Sequence, residues 1–204
     1  MAWATVTEQV ERLVGLGVPG AEELRGWAAA RQCGDGLVVV HPDHVPSSSL
    51  AGLMRLDGRP GFVVPDMTDL DDFAPVESVE VPGGPAYVVH DPDRGDEMAG
   101  WSPDEAMPAI LAQGRSPMTV SEGICWLLQE PGVLRRNRCF MTIGSRKPAA
   151  RGSGLDKRTP AIWISNGGER DGGRERRGAP KVGWCWAGNR HTWLGFGSVA
   201  GREA

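Results

Sequence analysis

Apolar residues first recur at helical spacing at Val6, Val10, Leu13 and Val14, just after Thr5-Val-Thr-Glu8. In that S/T-x-x-E pattern a hydroxyl and a carboxylate satisfy each other's end of a helix start. The spacing predicts a helix over about 6 to 16, stopped by Gly17 and Pro19, and a second over Ala21 to Gln32 with Leu24, Trp27 and Ala28 on one side. A helical hairpin therefore opens the chain. The period then shortens to the β-branched runs Leu37 to Val40, Phe62 to Val64, Val79 to Val81 and Tyr87 to Val89, separated by Pro/Gly/Asp turns, with a short helix expected within Ser48 to Leu56.

Ser102-Pro-Asp-Glu105 repeats the capping pattern with proline at the favoured first helical position, and Pro108 is expected to kink the helix it opens. Thr119-Val-Ser-Glu122 is a third such start. It predicts a helix over 119 to 130 with Val120, Ile124, Leu127 and Leu128 in one stripe, Cys125 beside it and Pro131-Gly132 at its end. In the last third, strands are expected at Cys139 to Ile143, Ala161 to Ser165, Lys181 to Trp186 and Thr192 to Phe196, joined by glycine-rich loops in a mainly antiparallel sheet. The reading is one α+β domain over 1 to 204: an N-terminal helical hairpin, a mixed middle and a C-terminal sheet.

Composition fits that reading. The 204 residues are 40% hydrophobic and 24% charged, the balance of a soluble globular chain. Runs such as Leu37 to Val40 are too short to cross a bilayer, and the first residues lack a basic start and an apolar middle, so no membrane partner is expected. Four cysteines, at 33, 125, 139 and 185, form no CxxC pair, which suits a reducing, cytoplasmic setting.

The net charge of -4 hides a division: residues 1 to 134 carry 7 basic and 21 acidic side chains, whereas residues 135 to 204 carry 15 basic and 5 acidic. Two readings compete. The halves attract each other within one fold, or the segment Arg135 to Arg158, with eight basic residues against Asp156, meets an anion. The stretch 167 to 178 mixes four Arg with three acids and reads as a self-screened flexible loop with no site.

Three stretches, AYVVHDPDRGDEMAGWSPDE at 86 to 105, NRCFMTIGSR at 137 to 146 and PKVGWCWAGNRHTWLGFGS at 180 to 198, resemble an uncharacterised actinobacterial protein family of unknown function. The resemblance runs nearly the full length, and it implies no catalytic residue, cofactor or substrate.

Candidate chemistry is densest at Gly183 to Phe196. Read as a hairpin turning at Ala187 to Arg190, this segment puts Trp184 and Trp186 on one face, Cys185 on the other and His191 near the turn. Cys185 with His191 is the minimum for a thiolate nucleophile, because the imidazole must accept the thiol proton, and Asn189 is placed to orient the ring. The competing reading is an inert buried cysteine among packing rings. Thr142 to Lys147 is the best anion candidate: Ser145 ends a strand, the guanidinium of Arg146 suits a carboxylate or phosphate, and Arg190 and Trp186 complete the ligand-binding set.

Cys125, Cys139, Cys185 and His191 are soft ligands of the type zinc takes, but no pair has the short spacing that supplies two ligands from one turn. His41-Pro-Asp-His44 reads first as a turn. The loop Asp91 to Glu97 departs from a calcium loop, with Gly95 at position 5, and leaves His90, Asp96 and Glu97 as an acid/base group in a cleft or as part of a solvated acidic loop. No metal, cofactor or oligomeric state is assigned. The functional expectation is a small-molecule enzyme or binding protein holding an anionic ligand. The alternative is a nucleic-acid-binding or protein-interaction module using 135 to 158, and a pI of 5.6 weighs against nucleic acid.

Overall fold

The structure, a computed structural model, describes residues 3–31 and 35–204. Helix α1 (Val6–Gly15) starts as its sequence dictates: the Thr5 backbone N–H and hydroxyl both donate to Glu8 at 2.8 Å, and the Glu8 N–H returns to the Thr5 hydroxyl at 3.3 Å. Its stripe Val6, Val10 and Leu13 is buried, and so is Gln9. The Gln9 side chain donates to Gly36 O at 2.8 Å and accepts from Val38 N at 2.9 Å, which fastens α1 to the adjoining strand. Helix α2 (Ala21–Ala29) buries Leu24 and Ala28 and leaves Trp27 half-buried beneath the Arg31 guanidinium.

Two main sheets follow. One is antiparallel and three-stranded, with Ala86–His90 between Leu37–Val40 and Gly201–Glu203. The other has five strands in the order Leu194–Phe196, Cys139–Met141, Arg158–Ile164, Pro180–Trp186 and Phe62–Val63. Its inner pairs are antiparallel, while its two edge pairs are parallel. The parallel edges arise from long connections. Strand Leu194–Phe196 is reached from Pro180–Trp186 by a segment that skips two strands, and Phe62–Val63 comes from the first third of the chain. Helix α3 (Ser47–Ala51) begins one residue before the stretch expected to be helical and covers only its first half, because Arg55–Leu56 pairs as a strand with Arg59–Pro60. Val79 to Val81 forms no strand; Val79 N donates to Val76 O in a turn. Helix α4 (Pro103–Ala112) runs through Pro108.

Helix α5 (Val120–Gln129) lies between the two sheets, and all ten of its residues are buried. A Cβ on Gly123 would meet Thr142 Cγ2 at 2.7 Å and Ile162 Cδ1 at 2.8 Å, so glycine is what lets the helix lie this close to the five-stranded sheet. On the opposite side Cys125 Sγ accepts from Val40 N at 3.4 Å.

A helix buried all round needs its first-turn donors satisfied from within the protein. The Glu122 carboxylate accepts from Thr119 N (2.7 Å), the Tyr87 hydroxyl (3.1 Å), Arg202 Nε (2.5 Å) and Arg202 Nη2 (3.0 Å). Arg202 completes its fork on Ser116 Oγ at 2.6 Å and Pro117 O at 3.0 Å. Ser145 Oγ accepts from Val120 N at 3.0 Å.

Part of the charge division is met inside the molecule. Lys147 pairs with Asp69 and Asp72, Arg158 with Asp69, Arg170 with Asp66, Arg190 with Glu105 and Arg202 with Glu122, each a basic-half cation on an acidic-half carboxylate. The segment 167 to 178 is anchored within the basic half: Asp171 is buried against Lys181 and accepts from the Ser165 hydroxyl at 2.6 Å.

Two stability outcomes are expected. Arg202→Ala leaves a buried carboxylate without its counter-charge and should cost about 3–5 kcal/mol, against about 1 kcal/mol for Thr119→Ala, which removes a cap alone. Urea unfolding of both variants checks the order, and equal losses would contradict the role given to the pair. Asp69 is held well below the usual carboxylate range, chiefly by Arg158 and then by Lys147, against the opposing effect of burial. Its stabilisation is therefore present above the ordinary carboxylate range and lost as pH falls through and below it. Asp69→Asn should cost about 1 kcal/mol near neutral pH, with the gap to the parent closing in acid, as read by thermal unfolding across pH.

Candidate functional site

Strand Ala86–His90 delivers His90 to one end of the three-stranded sheet, where Asp91 takes a left-handed backbone (φ 45°) and turns the chain. The following loop is clamped. Asp93 exchanges backbone bonds of 2.8 and 2.9 Å with Ser198, and Gly95 (φ 64°) lies so close to the next strand that a Cβ would sit 2.3 Å from Phe196 O. The loop forms one wall of a cleft of about 630 Å³. The facing wall is the end of α5 with Trp126 and Glu130, then Gly132, Val133 and Arg135; Trp3 and Asp35 close a third side. Arg94 spans the walls, pairing with Asp96 and donating to Val133 O at 2.7 Å.

The electrostatics of the cleft are uneven. Asp91 pairs with Arg115, and Asp93 Oδ1 accepts from Gly95 N. The carboxylates of Asp35, Glu97 and Glu130 have no cation within 4 Å among the described residues. Both nitrogens of His90 face oxygens, Asp35 O at 3.0 Å and Glu203 Oε2 at 3.2 Å, so only the protonated ring donates to both. Trp126 is 7% exposed, and its Nε1–H meets no acceptor among the described residues. His90, Asp96 and Glu97 thus share a cleft, with His90 and Asp96 already engaged and Glu97 unpaired.

The C-terminal constellation is not assembled as its spacing suggests. Trp184 and Trp186 do share a face, their rings 4.6 Å apart, but the segment is no hairpin. Cys185 lies opposite Thr159, and the strand that follows His191 is three positions away across the sheet, roughly 14 Å at the ordinary strand spacing. Burial pushes the Cys185 thiol up to about 11, the reverse of what a thiolate nucleophile needs. His191 packs on Trp193 with ring centroids 5.3 Å apart, and burial lowers its pKa. No hydrogen bond joins it to Cys185 or Asn189 among the described residues; Asn189 is exposed and closes a turn onto Trp186 O. Arg190 is committed to Glu105 at 2.5 Å, and Trp186 is 48% exposed.

In the anion set, Ser145 is occupied at the start of α5, whereas Arg146 pairs with no carboxylate among the described residues. Half-buried, it donates from Nη2 to Asp156 O at 2.7 Å, its Nε has no partner and no carboxylate lies within 4 Å among the described residues. Burial lowers its pKa. Cys125 and Cys139 are buried thiols pushed up to about 12 and about 11. Cys33 lies outside the described residues, among which no three His, Cys, Asp or Glu side chains gather as a metal set. His41 to His44 is a turn, with His44 N donating to His41 O.

Sequence reasoning missed Trp3, Asp35, Trp126 and Glu130. Trp126 on α5 and Glu130, the residue that ends it, stand four apart in the sequence, which is the signal that could have drawn attention to them.

Fold and cleft together define an α+β protein with a helix enclosed between two sheets and an acidic cleft at one end of that helix. The chain belongs to the family of unknown function DUF5701, which it matches over residues 6–204. No curated protein and no solved structure matches it. No described helix is long and apolar enough to cross a membrane.

With every described thiol raised by burial, iodoacetamide near neutral pH should leave Cys125, Cys139 and Cys185 unmodified in the native protein and label all three after denaturation. Peptide mass spectrometry reads the sites. Rapid labelling of native Cys185 would restore it as a nucleophile.

Proposed function

We propose that this protein binds a small molecule in the cleft between the 91–97 loop and the end of α5. The observation that supports this is a volume of about 630 Å³, within the usual range of ligand pockets, where two tryptophans and unpaired charged groups from separate segments converge. His90 and Glu97 are the groups in it suited to acid/base work, should the bound molecule be transformed there.

A second reading rests on Arg146. A half-buried guanidinium with no carboxylate within 4 Å among the described residues is suited to an anionic group, such as a carboxylate or phosphate of a small molecule. Five of the eight cations in 135 to 158, namely Arg135, Arg136, Arg138, Arg151 and Lys157, also have no ion pair among the described residues, which keeps a polyanion as its broader form.

One experiment separates the sites. Gly132 lines the cleft and nothing lies within 4 Å of where its Cβ would be, so Gly132→Phe adds a ring at the cleft wall with no clash at the Cβ. Native mass spectrometry of gently purified protein should show a retained small molecule that Gly132→Phe expels and Arg146→Ala does not. Expulsion by Arg146→Ala alone, with Arg135→Ala and Arg136→Ala silent, would favour the anion reading. Retention in all the variants would overturn both.

A further inference from the structure

The chain has three asparagines, Asn137, Asn166 and Asn189, and of these only Asn166 is followed by glycine. Asn166 is exposed and lies two residues beyond the strand Arg158–Ile164, where the 167 to 178 loop begins. Gly167 takes a left-handed backbone (φ 74°), and a Cβ on it would lie 2.9 Å from Arg177 Cβ, so the fold itself keeps a glycine after this asparagine. No side chain stands beside the Gly167 nitrogen to screen it from the Asn166 carboxamide.

Three hydrogen bonds prepare that nitrogen and that carboxamide for each other. The Gly167 N–H donates to Ser165 Oγ at 3.0 Å, and the Ser165 hydroxyl donates in turn to Asp171 Oδ2 at 2.6 Å. Ser165 and Asp171 are both buried. Burial opposes the charge of Asp171, but Lys181 on its other carboxylate oxygen and the Ser165 hydroxyl outweigh that and hold its pKa below the usual range, so it stays ionised and able to accept a proton. Nitrogen, hydroxyl and carboxylate thus stand in the order of a proton relay that activates a nucleophile. On the other side the Gly168 N–H donates to Asn166 Oδ1 at 2.9 Å. That bond folds the carboxamide back over the nitrogen of Gly167, and it puts a donor on the oxygen where negative charge builds when the carbonyl carbon is attacked.

We propose that Asn166–Gly167 is a self-modification site, at which the folded protein converts Asn166 to aspartate and isoaspartate. Gly167 N bonds to Asn166 Cγ as its proton passes to Ser165 Oγ and the Ser165 proton passes to Asp171. The proton returns through Ser165 to the leaving nitrogen, the Cγ–Nδ2 bond breaks, ammonia departs and a succinimide remains. Water opens that ring at either carbonyl: one opening gives aspartate, the other isoaspartate, in which the main chain runs through the side-chain carbon. Both products add a negative charge where the chain turns into the loop, and isoaspartate also lengthens the backbone by a methylene, which breaks the bonds that Gly167 and Gly168 make.

Time courses of the full chain in warm, mildly alkaline buffer test this. The tryptic peptide 159–170 is read by mass spectrometry for the mass gain of an amide replaced by an acid, and electron-transfer fragmentation separates isoaspartate from aspartate. The folded parent should convert Asn166 about tenfold faster than the same chain in urea, which keeps the sequence and loses the relay, while Asn137 and Asn189 stay unchanged. Ser165→Ala should fall to the rate of the urea-unfolded chain or below it, and Ser165→Thr, which keeps a hydroxyl, should recover most of the parent rate. A folded parent that converts Asn166 no faster than the unfolded chain overturns the proposal, because the hydrogen bonds then protect the asparagine instead of activating it. Conversion in Ser165→Ala as fast as in the parent overturns it too.

Discussion

The Glu122–Arg202 pair sets the constraint on which the rest of the architecture depends. A helix with every residue buried has no water at its first turn, so α5 can occupy the centre only if its N-terminal donors and the Glu122 charge are answered by protein. The answer comes from Tyr87 on the central strand of one sheet and from Arg202 on that sheet's edge strand, with Ser116 and Pro117 holding the far side of the guanidinium. The three-stranded sheet is thereby fixed relative to the helix. Gly123, one residue on, lets the five-stranded sheet approach the opposite face. Polar satisfaction orients one layer and the absence of a side chain admits the other.

The same economy governs the surface charge. A chain with net -14 in its first 134 residues and +10 in its last 70 would repel itself within each part if the parts stayed separate. The fold interleaves them instead. Asp69 receives both Lys147 and Arg158, and Arg158 also reaches Asp156, so a short acidic 3-10 turn and a basic loop become one network. Pairs of this kind are worth little singly at an exposed surface, but Asp69, Arg158 and Lys147 are largely covered, and their coupling fixes how the two regions dock.

What could be read in the sequence was what is local. The three capping boxes mark α1, α4 and α5 because hydroxyl and carboxylate lie three residues apart and need no tertiary partner. Strand alternation likewise puts Trp184 and Trp186 together. Strand order was beyond such reasoning: adjacency in sequence made 180 to 196 look like a hairpin, whereas the strand Leu194–Phe196 pairs in parallel with Cys139–Met141. Cys185 and His191 were brought together on paper by that error. The 90 to 97 run showed its acids and histidine, but its facing wall did not, because Trp126, Glu130, Trp3 and Asp35 reach the cleft from three distant segments.

The cleft lies where the two organising effects meet. The loop wall is held at two points: Gly95 sits tight against Phe196, and the Arg94 side chain ties the loop to Val133 just beyond the buried helix. Asp66, Asp69 and Asp72 found cations from the second half, whereas Asp35, Glu97 and Glu130, which line this cleft, have no ion pair among the described residues. Holding like charges around a concavity costs stability, the reverse of the pairing that docks Asp69. Where charge is paired it docks the protein's own parts, as at Asp69; where it is left over, at Asp35, Glu97 and Glu130, it sets the potential of the cleft.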